Sequence, residues 1–199
     1  MSGKRSAKDA APTFIACLKR EDVSRVSHLR PDLVVSRFLD IDFEALGRPF
    51  LLLDVDNTIA PIQVDEDMLP GVADHIAAAR SCGALRDVCL VSNVFVGHRK
   101  RLRVERFARA LDAHAVMPDV LHLKPHAAPF LEALKHMGAT ASASVMVGDQ
   151  LFTDVLGGNR LGMLTVYVRP IGPDHWTTAL TMRRSRERRL FAAWGILPS

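Results

Sequence analysis

No run of apolar residues in this sequence approaches the roughly 20 that a membrane-spanning helix needs, so no transmembrane segment is expected. The apolar stretch 14–18 behind the polar start is too short for the core of a secretory signal. Asp9 and the scarcity of early arginine argue against a mitochondrial transit peptide. Cysteine is sparse: Cys17, Cys82 and Cys89 are an odd set without a CxxC pair, which excludes a disulfide framework and fits a reducing compartment. Internal repeats and heptads are missing, which sets aside solenoids and coiled coils. No RNP, KH or GxxG signature marks a specific reader of RNA.

What is present is a chain of 199 residues, 48% hydrophobic and 24% charged, long enough for one domain with a full core. The net charge of +4 and pI near 9.2 favour an anionic partner without choosing among nucleic acid, phospholipid and a phosphorylated metabolite. Residues 1–12 read as a disordered tail and 13–199 as a single domain. Pro31, followed by Leu33, Val34, Val35, Phe38 and Leu39, predicts a short helix with proline in its first turn. Beyond it, strand-like runs (50–54, 88–91, 115–117, 144–147, 164–168) alternate with helix-like ones (70–81, 96–111, 127–136, 152–161). That alternation predicts an α/β doubly wound parallel sheet in three layers, in which ligands bind beyond the C-terminal strand ends.

Four polar clusters fall at such ends. Asp54-Val55-Asp56-Asn57-Thr58 follows an apolar strand. Residues two apart in extended chain share a side, so Asp54 and Asp56 can both face a ligand. Two carboxylates this close need a cation or a proton between them, and a hard divalent ion such as Mg²⁺ suits oxygen ligands. A plain strand-to-turn transition uses the same residue types. A calcium loop is disfavoured by Ile59 where such loops need glycine, and by Pro61. Ser92-Asn93 ends the second strand, where a serine and free amides can bind a phosphoryl oxygen or cap the next helix. Lys124-Pro125 places a lysine at a helix entrance, within reach of two anions or of solvent alone; His122 and His126 read as loop residues. Gly148-Asp149-Gln150-Leu151-Phe152-Thr153-Asp154 follows the next strand, with Asp149 placed to ligate a metal and Asp154 to cap a helix. Gly157 and Gly158 inside that helix, each costing about 1 kcal/mol there, suggest close backbone packing.

Taken in order, DxDxT, a serine, a lysine and GDxxxTD at four successive strand ends resemble the motifs of the haloacid-dehalogenase (HAD) superfamily over 50–168. The run GDQLFTDVLGGNRLGM from Gly148 to Met163, Arg169-Pro170-Ile171, the upstream Pro31-Asp32 and the basic Glu187-Arg188-Arg189 resemble the YqeG-like group of subclass IIIA phosphatases. Mitochondrial phosphatidylglycerophosphate phosphatases are related to that group. The resemblance implies a Mg²⁺-dependent phosphomonoester hydrolase with Asp54 as nucleophile and Asp56 as general acid and base. It implies metal held by Asp54, the carbonyl of Asp56 and Asp149. Ser92, Asn93 and Lys124 would bind phosphate, with Lys124 also catalytic, and Asp154 and Thr58 would support the site. Val94 departs from the group, which often has a second asparagine there, and that puts a role of this position in substrate choice in doubt.

About 38 residues separate Asp54 from Ser92 and about 32 separate Ser92 from Lys124; ordinary loops leave no room for a cap domain. The resemblance then implies a large or surface-bound phosphoester as substrate, since capless members of the superfamily tend to act on those. Arginines and lysines crowd 99–109 and the C-terminal segment 175–192, with Trp176 and Trp194 nearby. Such a combination is a solvated face or a contact for an anionic membrane. Three functions are therefore expected to compete: a phosphatase for a phospholipid such as phosphatidylglycerophosphate, one for a soluble phosphometabolite, protein or nucleic-acid end, and an idle scaffold for an anionic partner. The expected location is the cytoplasm, with peripheral contact at the inner membrane, or the mitochondrial matrix in a eukaryote.

Overall fold

The computed structural model describes residues 27–63, 65, 67–94, 97–173 and 183–196. The expected N-terminal tail, Trp176 and most of the linker before the last helix lie outside them. Six strands form one parallel sheet in the order β1-β6-β5-β2-β3-β4. They are β1 (Leu33–Val35), β2 (Phe50–Leu53), β3 (Asp87–Val91), β4 (His114–Val116), β5 (Ser144–Gly148) and β6 (Leu164–Val168). The helices are α1 (Phe43–Leu46), α2 (Val72–Ser81), α3 (His98–Ala110), α4 (Ala127–Met137), α5 (Leu156–Leu161) and α6 (Arg183–Ala193).

Period-two alternation sends the strand side chains into two cores. Leu51, Leu53, Val88, Leu90, Val145 and Val147 pack with Val72, Ile76 and Ala79 of α2 and Val104, Phe107 and Ala108 of α3. Phe50, Leu52, Cys89, Val91 and Met146 pack with Phe130, Ala133, Leu134 and Met137 of α4 on the other face. Leu51, Leu52 and Leu53 are wholly buried, which stabilises this central strand by about 1.5–3 kcal/mol per side chain. The glycine pair of α5 is explained by the same packing. A Cβ on Gly157 would lie 2.2 Å from the Phe130 ring, and one on Gly158 would lie 2.8 Å from Thr165.

The chain leaves β2 toward β3 on one side and returns through β5 on the other. The end of β2 is thus the topological switch point of the sheet, where parallel α/β folds open a crevice for ligands. Between β2 and β3 the described chain carries only α2, and between β3 and β4 only α3, so the described residues contain no cap domain in either interval.

One expectation is corrected. The segment after Pro31 is not a helix at Leu33, Val34 and Val35: it is the edge strand β1, paired with Val166, Tyr167 and Val168. Asp32 fixes this register, because its carboxylate accepts the Thr165 N–H at 2.8 Å. The helical turn that does form is short and lies at Phe38–Asp40.

Candidate active site

Asp54 follows the last residue of β2, and its own N–H donates to the Val147 carbonyl at 2.9 Å. The chain then turns back on itself. Asn57 takes a left-handed φ of 61°, which asparagine tolerates better than most residues, and its N–H donates to the Ala60 carbonyl at 2.7 Å. That turn brings Thr58 Oγ1 to within 3.3 Å of Asp54 Oδ2, where it donates a hydrogen bond.

Lys124 grips the other oxygen. Its ammonium donates to Asp54 Oδ1 at 2.7 Å and to the Val91 carbonyl at 2.6 Å, and lies 2.7 Å from Asp154 Oδ1. All three charged side chains are buried. Burial alone would lower the pKa of Lys124, but the Asp154 and Asp54 carboxylates outweigh it and hold the ammonium protonated. Asn93, at the end of β3, positions the lysine backbone by accepting its N–H at 2.9 Å and donating to its carbonyl at 3.2 Å. Ser92 beside it is buried, and its N–H donates to the Val116 carbonyl at 3.1 Å.

β5 ends on Gly148, and the residue type there is dictated by Asp154: a Cβ on Gly148 would lie 2.4 Å from the Asp154 Cγ. Asp154 both caps the turn, accepting the Gln150 N–H at 3.1 Å, and faces Lys124. The first helical turn after β5, Leu151–Val155, is wound wide as a π-helix before α5, a local form frequent at functional sites. Asp149 is fully buried; its Oδ2 and carbonyl accept bonds from Arg184 of α6, and its Oδ1 has no hydrogen-bond partner among the described residues.

Asp54, Asp149 and Asp154 thus present oxygens within 4.8 Å of one another. Burial, opposed by Lys124, pushes Asp54 up to about 7, and Asp154 and Asp56 add to the push. Burial also drives Asp149 well above the ordinary carboxylate range in spite of Arg184. Three buried carboxylates, two of them resisting ionisation and one with an unpartnered oxygen, fit a hard divalent cation. Asp154 brings a third carboxylate to the cluster. Asp56, expected to offer its backbone carbonyl, turns its carboxylate toward α3, with Oδ1 2.7 Å from Arg103 and Oδ2 3.4 Å from Lys100.

Sequence reasoning missed the residues that hold these carboxylates from behind. Arg103 is buried, and its guanidinium reaches both Asp56 and the Pro61 carbonyl. It shares a helix side with Phe107, whose ring lies 5.0 Å away; a helical projection of α3 could have found it. Arg184 and Glu187 were hidden in the arginine run of α6. Glu187 is the one acid of that helix, is buried, and accepts the Leu151 N–H at 2.8 Å. Of the two flanking histidines, His126 caps α4 through Ala128 N–H at 3.1 Å, and His122 pairs with Asp119 at 2.9 Å.

Comparison with known proteins adds to this geometry. The HAD-hydrolase-like family model matches residues 123–170. The chain is 30% identical over 171 residues to the chloroplastic phosphatidylglycerophosphate phosphatase 1 of Chlamydomonas reinhardtii, covering 82% of this chain and 61% of that protein. It is 30% identical over 169 residues to the chloroplastic/mitochondrial phosphatidylglycerophosphate phosphatase 1 of Arabidopsis thaliana, covering 82% and 47%. The probable phosphatase YqeG of Bacillus subtilis is 29% identical over 179 residues, covering 88% and 90%. The chain therefore spans less than two thirds of the length of both plant and algal relatives. No helix among the described residues is long and apolar enough to cross a membrane.

Proposed function

We propose that this chain is a phosphomonoesterase of the HAD superfamily, acting through a covalent phosphoryl group on Asp54. The observation that carries the reading is the buried Asp54 carboxylate, held by Lys124 and Thr58 beside the unpartnered oxygen of Asp149. A carboxylate oxygen of Asp54 attacks phosphorus and the ester P–O bond breaks. Asp56 gives its proton to the departing alkoxide. It then takes a proton from the water that attacks the aspartyl-phosphate, releasing inorganic phosphate and restoring Asp54. Lys124 meets the charge that develops on the phosphoryl oxygens, and Ser92 donates to one of them. Asp154 keeps the lysine aimed by its second contact.

Mg²⁺ would be held by Asp54, Asp149 and the carbonyl of Asp56, and would supply Lewis-acid polarisation of the phosphoryl group and offset its repulsion from Asp54.

The substrate proposed is a phospholipid carrying a terminal phosphomonoester, phosphatidylglycerophosphate being the one named in two relatives. A site without a cap suits such a headgroup while its acyl chains remain in a membrane, and contact with an anionic membrane surface belongs to this reading. The test is phosphate release from phosphatidylglycerophosphate in mixed vesicles, from glyceraldehyde 3-phosphate and from p-nitrophenyl phosphate, each with Mg²⁺ and with EDTA. We expect metal-dependent turnover of all phosphomonoesters that enter the site, and the highest kcat/KM for the lipid. Preference for the soluble ester would replace the lipid reading with a soluble phosphometabolite. Full activity in EDTA would remove the metal, and no release from any substrate would leave an anion-binding scaffold.

A further inference from the structure

The motif-bearing strand ends account for Asp54, Lys124 and Asp154, but Asp149 is held by an element outside them. Arg184 of α6 donates to the Asp149 carbonyl and to its Oδ2. Its guanidinium is itself held by Glu187 Oε2 at 2.9 Å and by the Tyr167 hydroxyl at 3.4 Å. Glu187 in turn accepts the Leu151 N–H, two residues beyond Asp149, at 2.8 Å. Phe191, one turn further along α6, packs on Tyr167 with ring centroids 4.8 Å apart. A closed circuit of contacts therefore runs from the loop after β5 into α6 and back onto the same loop.

We propose, resting on the reading of this site as metal-dependent, that Arg184 is the positioning residue for the cation. By engaging one carboxylate oxygen and the carbonyl of the same residue, the guanidinium fork fixes the Asp149 side chain against rotation. The oxygen left over, Oδ1, is the one without a hydrogen-bond partner among the described residues. Arg184 and a cation thus use different oxygens of one carboxylate and do not compete. Groups that orient a metal ligand from behind are worth about 10–100-fold in metal affinity. Binding is reciprocal: a cation on Asp149 also tightens the docking of α6. The C-terminal helix is in this way part of the metal site, and the basic character of its first turn serves the inside of the protein.

The test uses Mn²⁺ as probe, titrated into the full-length protein without substrate and followed by the EPR signal of the free ion. Wild type should bind Mn²⁺ and Asp149→Ala should not. Arg184→Ala should bind about 10–100-fold more weakly, with kcat largely restored at saturating metal. Arg184→Lys should recover part of the loss, because it keeps the charge without the fork. Glu187→Gln, which leaves Arg184 in place, should show a smaller loss. Unchanged or tighter Mn²⁺ binding in Arg184→Ala overturns the proposal, the latter by making the arginine a competitor. A wild type that binds no Mn²⁺ overturns instead the metal-dependent reading beneath it. A second measurement needs no variant: Mn²⁺ should slow amide hydrogen exchange across α6 in the wild type, and exchange indifferent to the ion would also sink the coupling.

Discussion

Helices α3 and α6 are both arginine-rich, and each sends one guanidinium inward to span a carboxylate and a backbone carbonyl. Arg103 does so on Asp56 and Pro61, Arg184 on the two acceptors of Asp149. They are fastened differently. α3 is seated by apolar burial of Val104, Phe107 and Ala108, whereas α6 buries Glu187 and Phe191. The carboxylates they hold also differ in their proposed roles, since Asp56 moves protons and Asp149 holds a cation. The contrast teaches that a run of like charges is no guide to a surface until the buried side of its helix is known. The functional difference between the two arginines can be broken or sharpened experimentally.

The largest effect belongs to the residue both helices serve. Asp54→Asn should lower turnover at least about 10³-fold with the far-UV circular dichroism unchanged. Residual activity within tenfold of wild type would show that neither helix serves a nucleophile at that position.

Arg103→Ala should cost about tenfold in kcat for alkyl phosphates, at the lower end of the range for proton-transfer and positioning groups. The loss should be smaller for p-nitrophenyl phosphate, whose leaving group needs no proton, and Mn²⁺ affinity should stay as in wild type. Equal losses on both esters, or a change in metal affinity, would erase the distinction between the helices.

A third effect concerns the metal-free protein. Asp54, Asp149 and Glu187 all titrate above their ordinary values, burial being the first cause for each. A carboxylate whose folded pKa is raised contributes stability that is complete below its unfolded value and lost as pH rises through the folded one. For Asp54 that interval runs from 3.8 to about 7. The Tm of the metal-free protein should therefore fall as pH rises from about 4 to about 7, and added Mg²⁺ should flatten the curve. A Tm that rises over this range would contradict the burial of ionised carboxylates without a cation.

The smallest effect lies in the arginines that stay outside. Arg99 and Arg101 of α3, and Arg188 and Arg189 of α6, are exposed. Each contributes about 1 kcal/mol when close to anionic lipid. Replacing the α3 pair by glutamine should weaken vesicle binding more than replacing the α6 pair, because α3 starts beyond the end of β3, at the C-terminal edge of the sheet where Asp54 follows β2. High salt should mimic the change. A greater loss from the α6 pair would return the membrane contact to the C-terminal segment, and no loss from either would favour a soluble substrate.

The strand ends are legible in the sequence because a short apolar run that stops abruptly at charged or small polar residues is the mark of a buried parallel strand reaching the surface. Leu164–Val168 emerges with the bounds read from sequence, and the two glycines of α5 pack as their placement suggested. β1 is not legible. Its three residues carry too little alternation to announce a strand, and Pro31 mimics a helix start; only pairing to β6 and the Asp32 contact decide it. Spacing alone places the Asp56 carboxylate beside Asp54, since it cannot foresee a cation arriving from 47 residues away. Arg184 is illegible for the same reason, its partner Asp149 lying 35 residues earlier.

The Asn93 side chain pairs with the backbone of Lys124 through both donor and acceptor, as one more rung of a sheet would. The Lys124 amide, though it sits in a loop, can exchange with solvent only when the end of β3 and the segment before α4 come apart. Its proton is therefore a resident reporter of that separation. In a heteronuclear spectrum its lifetime in D₂O would time how often the lysine loses its seat, residue by residue and without a label, in the resting protein and during turnover alike.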